Sequence, residues 1–354
     1  MRCENGNFIT VCLKGASQVF FMENVVTGAL FLVAIFYASF VSQWWATSIG
    51  AIVGVIVATA VAYMLDFDAS SRASGLFGFN GILIGVALPT FVAPSPELWL
   101  YIIVGAALTT IVTAAFAATL TKSWGVPGST GPFVLIAWLM LAGAYSFGSL
   151  RVLSETQKLA TDYQLGAASL PGLVEAVEIF FRNIGQVYLL GSWISGAIIL
   201  LGIFIASRAA GLAAVGGSLL AMGTAFVMRA DPSLVSQGLY GFSPVLAAMA
   251  LSVVFVQPSP VVIGYAALGV IGYAALGVIV TVFLQAAFDL ILAPIGLPSF
   301  TAAYVLTMYL FIAPRKFAPP HPHKPVVDHA LNPAAHAPAD PTPETRATAA
   351  TNPS

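Results

Sequence analysis

The sequence predicts an all-α polytopic membrane protein built from two inverted homologous halves. Hydrophobic residues make up 59% of the 354 residues and charged residues only 8%, whereas an average soluble domain is about 25% charged. Apolar runs long enough to cross a bilayer recur along the chain. A soluble enzyme is therefore excluded, and a net charge of −1 without a basic block gives no reason to expect a nucleic-acid partner.

The apolar body of the chain lacks the side chains that several kinds of chemistry need. All four histidines lie in the C-terminal tail and there are only two cysteines, so a histidine relay, a catalytic triad and a metal or disulfide framework are excluded within the membrane. Asp289 is the only acidic residue inside a long apolar run. Ion-coupled carriers usually need ionisable groups at membrane depth. The composition therefore favours a passive pathway for a neutral solute, with no cofactor and no enzymatic activity.

Ten apolar segments predict ten helices in two sets of five. A short amphipathic piece around Gln18 precedes the first set and another around Gln186 precedes the second, and both are too short to span a bilayer. The ten segments are residues 25–41, 47–65, 81–92, 99–120 and 133–150, followed by 191–207, 211–228, 245–256, 261–292 and 303–313.

These segments divide the chain into five parts. Residues 1–14 form a polar cytoplasmic N-terminus, in which no apolar run indicates a cleavable signal peptide. The transmembrane repeats are residues 15–150 and 183–313, and the 32-residue polar stretch 151–182 is an extracytoplasmic linker. Residues 314–354 contain ten prolines and predict a disordered Pro/Ala-rich cytoplasmic tail.

Three motifs of the first half recur in the second half in the same order. Five spans per half require the halves to have opposite orientations in the membrane, which places a solute site at their interface near the midplane. Lysine and arginine concentrate in the loops of one side, which indicates that both termini are cytoplasmic. The recurring motifs are Gln18–Phe21 and Gln186–Leu189, offset by 168 residues, Leu76–Asn80 and Leu239–Ser243, offset by 163, and Pro127–Thr130 and Pro298–Thr301, offset by 171.

An eight-residue tandem copy explains the change of offset from 163 to 171. Residues Ile263–Val270 are repeated letter for letter as Ile271–Val278. The ninth apolar segment is thereby too long, at 32 residues, for one straight span. Tilt, a bulge or a protruding end can absorb the two extra turns.

Thr130 and Thr301 are the first candidates for the solute site. Each follows a proline turn, at Pro127 or Pro298, that leaves backbone carbonyls without helical partners. Irregular backbone at membrane depth is tolerated where it lines protein or a water-filled cavity. A hydroxyl there both donates and accepts hydrogen bonds. The alternative is that both threonines are ordinary helix caps.

Glutamine, aromatic and aliphatic side chains are the other candidates. Gln18 and Gln186 each precede an apolar span, where an amide at membrane depth must find partners; the alternative is an interfacial glutamine in water. The apolar side chains would form a flat slot that selects planar solutes and excludes hydrated ions; the alternative is ordinary packing. They are Phe21, Phe79 and Leu83 in the first half, and Leu189, Phe242 and Leu246 in the second.

The motifs resemble those of the urea transporter family. Residues Gly78–Gly85 are similar to that family's Asn-Gly-x-Leu-x-Gly element, and the two Pro-x-x-Thr elements resemble its duplicated Leu-Pro-x-x-Thr-x-Pro-Phe motif. The run Gln18–Phe21 resembles the start of its pore helix. The resemblance covers about residues 15–313.

The resemblance implies a homotrimer with one urea pore in each protomer, and the lack of a cleavable presequence fits location in a bacterial inner membrane. Each half would have five spanning helices and one tilted half-length pore helix, and urea would cross by channel-like facilitated diffusion. The implied pore residues are Gln18 and Gln186 as hydrogen-bond partners at the mouths, Thr130 and Thr301 as central hydroxyls, Val19 and Val187 as apolar walls, and Phe21, Phe79, Leu83, Phe242 and Leu246 as the slot.

The second half departs from the family's pattern. Ser243 replaces the motif asparagine, Leu189 stands where an aromatic residue is expected, and Tyr304 replaces the motif phenylalanine. These changes leave open a less selective pore for short amides, ammonia or water. The other alternative is an ion-coupled carrier that uses Asp289, unless Asp289 only ends a helix.

Overall fold

The computed structural model describes residues 7–153, 158–164, 171–255 and 265–313. Within these ranges the chain is almost entirely helical and contains no β-strand, only an isolated bridge between Val92 and Val152. The first eight helices are α1 (Phe8–Gln18), α2 (Val25–Ser42), α3 (Ala46–Met64), α4 (Ala69–Ala73), α5 (Gly78–Phe91), α6 (Pro96–Phe116), α7 (Lys122–Trp124) and α8 (Gly131–Ala144). The next seven are α9 (Leu173–Gly185), α10 (Trp193–Ala206), α11 (Arg208–Val227), α12 (Pro232–Ser236), α13 (Phe242–Met249), α14 (Tyr265–Leu292) and α15 (Ala302–Ile312).

Each of the ten predicted apolar segments overlaps one helix, but the helices differ in length. Of the helices described, α2, α3, α6 with its continuation through α7, α11 and α14 are long and apolar enough to cross a membrane. The pair α9 and α10, bent by 74°, makes a possible sixth span. The helices α5, α8, α13 and α15 are shorter apolar helices. The chain is therefore a helical membrane protein with several spanning helices.

The two amphipathic helices begin earlier than the sequence predicts. Helix α1 begins at Phe8 and α9 at Leu173, so the predicted boundaries after residues 14 and 182 both fall inside helices. In α9, Glu178 and Arg182 form an i,i+4 ion pair of 2.8 Å, which stabilises the helix before residue 183. Charges that indicate a polar linker in the sequence thus belong to the polar face of a helix.

Helices approach most closely where glycine lets two backbones touch. A Cβ on Gly28 of α2 would lie 1.8 Å from the carbonyl oxygen of Leu13 in α1. A Cβ on Gly196 of α10 would lie 1.9 Å from the carbonyl oxygen of Phe181 in α9. The two contacts are related by the 168-residue offset. Small residues at such contacts are the usual means by which membrane helices pack closely.

Turns with left-handed backbone also recur at the repeat offsets. Phe21 and Leu189 have φ angles of 63° and 55°, and Ser129 and Phe300 have φ angles of 46° and 47°. A left-handed backbone is unfavourable for residues that carry a Cβ. The turns therefore keep their geometry although the residues differ, which indicates that the packing around them imposes it.

The tandem copy lies at the start of α14. Among the described residues, Ile271–Ile295 is long and apolar enough to cross a membrane. Residues 263 and 264, at the start of the first copy, lie outside the described residues, as does the predicted tail 314–354.

We expect Gly28→Ala and Gly196→Ala each to destabilise the fold by about 1–3 kcal/mol, because the added methyl group overpacks a backbone contact. Gly216→Ala in α11 is the matched control, since no described atom lies within 4 Å of its added Cβ and alanine favours helix over glycine. Thermal unfolding of the detergent-solubilised protein measures the effect. Equal melting temperatures for Gly28→Ala and Gly216→Ala would contradict the close contact.

Candidate functional site

The two proline turns meet at their threonines. Thr130 and Thr301 are the N-cap residues of α8 and α15, but neither side chain makes a capping hydrogen bond. Their hydroxyl oxygens lie 2.7 Å apart and share a hydrogen bond, and both residues are only 2% exposed. The hydroxyls therefore do not cap their own helices but join the two turns to each other.

The neighbours of these threonines contact each other reciprocally. The hydroxyl oxygens of Ser129 and Tyr304 are 2.7 Å apart. The counterparts of these residues at the 171-residue offset are Phe300 and Phe133, whose ring centroids are 4.9 Å apart. The same pair of positions is therefore in contact twice, once through a hydrogen bond and once through two rings.

Helices α2 and α10 contact each other with the same reciprocity. The hydroxyl of Thr27 donates to the carbonyl of Gly202 at 2.8 Å, and that of Ser195 donates to the carbonyl of Ala34 at 2.9 Å. Thr27 and Ser195 are 168 residues apart, as are Ala34 and Gly202. A two-fold axis at an interface produces reciprocal contacts of this kind.

Gln18 and Gln186 lie at the ends of half-length helices and bind equivalent carbonyls. Nε2 of Gln18 donates to the carbonyl of Ser74 at 3.0 Å, and Nε2 of Gln186 donates to that of Gln237 at 2.9 Å. Both glutamines are partly buried. Because the protein engages the amide nitrogens, the carbonyl oxygen of each side chain is the group that can accept from a solute.

The apolar candidates are placed as equivalent pairs. Phe21 and Leu189 are partly exposed, and the ring of Phe21 lies 5.9 Å from that of Phe255 and 6.1 Å from that of Tyr304. The remaining apolar candidates are buried. Core residues and the walls of a narrow pathway would both be buried, so burial does not distinguish the two roles. These buried side chains are Val19, Val187, Phe79, Phe242, Leu83 and Leu246.

A cavity of about 390 Å³ lies beside the turn that follows α9. Gln186, Val187, Leu189, Phe242 and Thr301 line it, whereas the other predicted pore residues do not. This cavity thus brings second-half candidates together around open space. Further walls of this cavity are polar at Gln285, Asp289 and Ser299 and aromatic at Phe91, Phe133 and Phe300.

The replacement at Ser243 is compensated on a neighbouring helix. In the first half, Nδ2 of Asn80 in α5 donates to the hydroxyl of Thr113 in α6 at 3.0 Å. In the second half, the hydroxyl of Ser243 in α13 donates to Oε1 of Gln285 in α14 at 2.8 Å. The amide and the hydroxyl have exchanged helices, so the hydrogen-bonded pair is kept. Nε2 of Gln285 also donates to Ser299 Oγ at 2.5 Å.

Residues of the linker hold an ion pair at the edge of the cavity. Lys158 donates to the buried carboxylate of Asp231 at 3.0 Å. Burial would raise the pKa of Asp231, but hydrogen bonds, first among them that from the Gln164 N–H, outweigh burial and hold the pKa below its usual range. Burial, together with the charges of Asp289 and Asp231, raises the pKa of Tyr163 to about 12. The carboxylate of Asp231 therefore stays charged and the phenol of Tyr163 stays neutral at physiological pH.

The sequence-based pore candidates do not include Gln285, Ser299 and Phe300, which line the cavity. Gln285 is a polar residue in an apolar run, four residues before Asp289 and so on the same helix face, which is a usable signal. Ser299 and Phe300 lie inside the second proline motif, in which Thr301 is the residue that the sequence analysis assigns to the site. Asp289 lies in the last turn of α14, as expected of a residue near a helix end, and yet it lines the cavity.

A helical membrane protein in which broken helices meet at buried polar side chains, beside a cavity, has the arrangement of a transporter or channel. Residues 9–316 match the family model of the urea transporters, so the chain belongs to the urea transporter family. Urea transporter 1 of Rattus norvegicus is 26% identical over 311 residues, which cover 86% of this chain and 76% of that protein. Urea transporter 1 of Capra hircus is 27% identical over 315 residues, with the same coverage.

We expect Ser243→Asn and Gln285→Thr each to destabilise the protein, and the double variant to recover much of the loss. Gln285→Thr alone leaves a buried hydroxyl without its acceptor, which costs about 1–3 kcal/mol, and Ser243→Asn alone overpacks the site. Together they transplant the Asn80–Thr113 pair of the first half. A double-mutant cycle of melting temperatures measures the coupling, and strictly additive losses would contradict the exchange.

Proposed function

We propose that the chain lets urea cross a membrane passively, down its concentration gradient. Proteins of the urea transporter family are transporters, so the chain is a transporter and not an enzyme. The observation that carries the proposal is the buried hydrogen bond between Thr130 and Thr301, where two proline turns meet. Urea is planar and neutral, with four N–H donors and one carbonyl, so a row of acceptor oxygens can replace the water that it sheds.

The proposed architecture is two halves of opposite orientation around a pseudo-twofold axis. The reciprocal contacts between α2 and α10 support it, as does the bond of Thr130 to its own counterpart Thr301. Helices α1 and α9 would be the tilted half-length pore helices, each followed by five spanning helices. The proposed repeats are residues 15–150 and 183–313, extended to the first residues of α1 and α9.

The proposed pathway runs through matched acceptors. From the cavity, urea would first donate to Oε1 of Gln186, with the ring of Phe242 as a flat wall, and then to the hydroxyls of Thr301 and Thr130. It would leave past Oε1 of Gln18. Only one of the two threonine protons is needed for the bond between them, so lone pairs remain for urea. Several weak sites in a row keep binding shallow and flux fast.

The wall residues of the proposed pathway are apolar. Val19 and Val187 would stand beside the threonines, and the slot would comprise Phe21, Phe79, Leu83, Phe242 and Leu246. Such walls offer a hydrated ion nothing in place of its water, so they select against charge.

The proposed setting is a bacterial inner membrane with both termini in the cytoplasm. The distribution of lysine and arginine over the short loops supports this orientation. The proposed assembly is a homotrimer with one pore in each protomer, for which the family resemblance is the support. Chemical cross-linking in native membranes tests it, since a trimer gives a band at three times the mass of the 36.8 kDa chain.

We expect the double variant Thr130→Val, Thr301→Val to fold but to carry urea about five- to tenfold more slowly, because one lost hydrogen bond in the pathway is worth about 1–1.5 kcal/mol. Thr130→Ser with Thr301→Ser keeps both hydroxyls and is the matched control. Stopped-flow light scattering on proteoliposomes measures the flux. Wild-type flux in a well-folded valine variant would remove the central role of these hydroxyls.

We expect rapid urea flux without any ion gradient, unchanged between two pH values and faster than the flux of acetamide or glycerol. Asp289 lies at one mouth, but the proposed pathway between the two glutamines has no titratable group and urea is neutral, so protonation changes little along it. The same proteoliposome assay with the three solutes measures this. Comparable flux for all three would indicate a less selective pore, and flux only under a proton or sodium gradient would refute passive transport.

A further inference from the structure

The cavity beside Gln186 contains a carboxylate that the first half lacks. Tyr101 of α6 and Tyr273 of α14 both donate to carbonyls of the last helix of their set, which aligns α6 with α14 at an offset of 172 residues. At that offset the counterpart of Asp289 is Ala117. Because Asp289 lines the cavity, this carboxylate lies at one mouth of the proposed pathway and has no counterpart at the other.

The other charged side chain that lines this cavity is already neutralised. It is Lys158, whose ammonium group is held by Asp231 at 3.0 Å and by Ser233 at 2.5 Å. Asp289 receives hydrogen bonds from Gln285 Nε2 at 3.1 and 3.3 Å, but a carboxylate has about four lone-pair sites. Among the residues described, the cavity thus carries a negative charge with accepting capacity to spare.

We propose that this cavity binds planar cations rich in N–H donors, namely guanidinium and amidinium ions, on the carboxylate of Asp289. Such ions form two parallel charge-assisted hydrogen bonds to a carboxylate. Phe242 and Phe300 line the same cavity, and aromatic faces attract a cation that stacks on them. Guanidinium has the planar shape of urea and one positive charge, so it fits the same walls and gains the ion pair.

A bound guanidinium ion blocks the entry of urea and does not pass. The path beyond the cavity is closed in by the bonded hydroxyls of Thr130 and Thr301 and by the rings of Phe133 and Phe300. These side chains carry no charge, and a cation that leaves its carboxylate at membrane depth loses its only compensation. The block rests on the proposed urea pathway, whereas the binding does not.

Calorimetric titration of the purified full-length chain with guanidinium chloride tests the binding. We expect saturable binding that weakens about tenfold or more in Asp289→Asn, as for loss of a charge-assisted pair. Asp66→Asn is the matched control, because Asp66 pairs with Arg72 at 2.8 Å and does not line the cavity. Equal affinity in the wild type and Asp289→Asn, or the same loss in Asp66→Asn, overturns the site.

Urea flux into proteoliposomes tests the block, with each variant compared with its own flux without added cation. We expect guanidinium to slow the wild type and Asp66→Asn more than Asp289→Asn. Tetramethylammonium, a cation without N–H donors, should have little effect on the wild type at equal ionic strength. Equal inhibition by both cations overturns the proposal without any variant. Absence of wild-type urea flux before either cation is added would refute the proposed function, and the calorimetry would still decide the site.

Discussion

The constraint on which this structure depends is that a polar group buried at membrane depth has no bulk water with which to bond. The proline turns interrupt the helical backbone, and the buried hydroxyls of Thr130 and Thr301 share a hydrogen bond across the break. The neighbouring Ser129 bonds to Tyr304, whereas the counterpart pair consists of two rings and needs no bond. The close contacts of the surrounding helices keep these partners within reach of each other.

The two halves can differ in sequence because each buried polar pair forms its own hydrogen bond. The pairs Asn80–Thr113 and Ser243–Gln285 have their amide and hydroxyl on opposite helices, yet each keeps one donor and one acceptor. An amide on α14 also reaches groups that an amide on α13 would not, since Gln285 bonds to Asp289 one turn further along. The departure from the family's pattern at Ser243 is therefore accompanied by a hydrogen bond from Gln285 to Asp289 in the wall of the neighbouring cavity.

Apolar runs and repeat offsets predict much of the fold because they follow from solvation and from duplication. The ten apolar segments all overlap helices, and the threonines that the 171-residue offset pairs lie 2.7 Å apart. Tertiary neighbours cannot be deduced in this way, so only the structure shows that Gln285 of α14 is the hydrogen-bond partner of Ser243 in α13. The sequence does not predict the start of α9 at Leu173, because the charges on its polar face resemble those of a linker.

The tandem copy shows how helical periodicity limits where a membrane helix can change its length. Eight residues advance an α-helix by about 12 Å and turn it by about 80° beyond two full turns. The copy lies before Thr281 and Gln285, which bond to Thr307 and Ser299 in the chain that follows. Because the copy precedes both residues, their angular register relative to these partners does not depend on it. The same eight residues inserted between Gln285 and Ser299 would rotate the amide away from its hydroxyl partner, so the start of α14 tolerates insertion and its end does not.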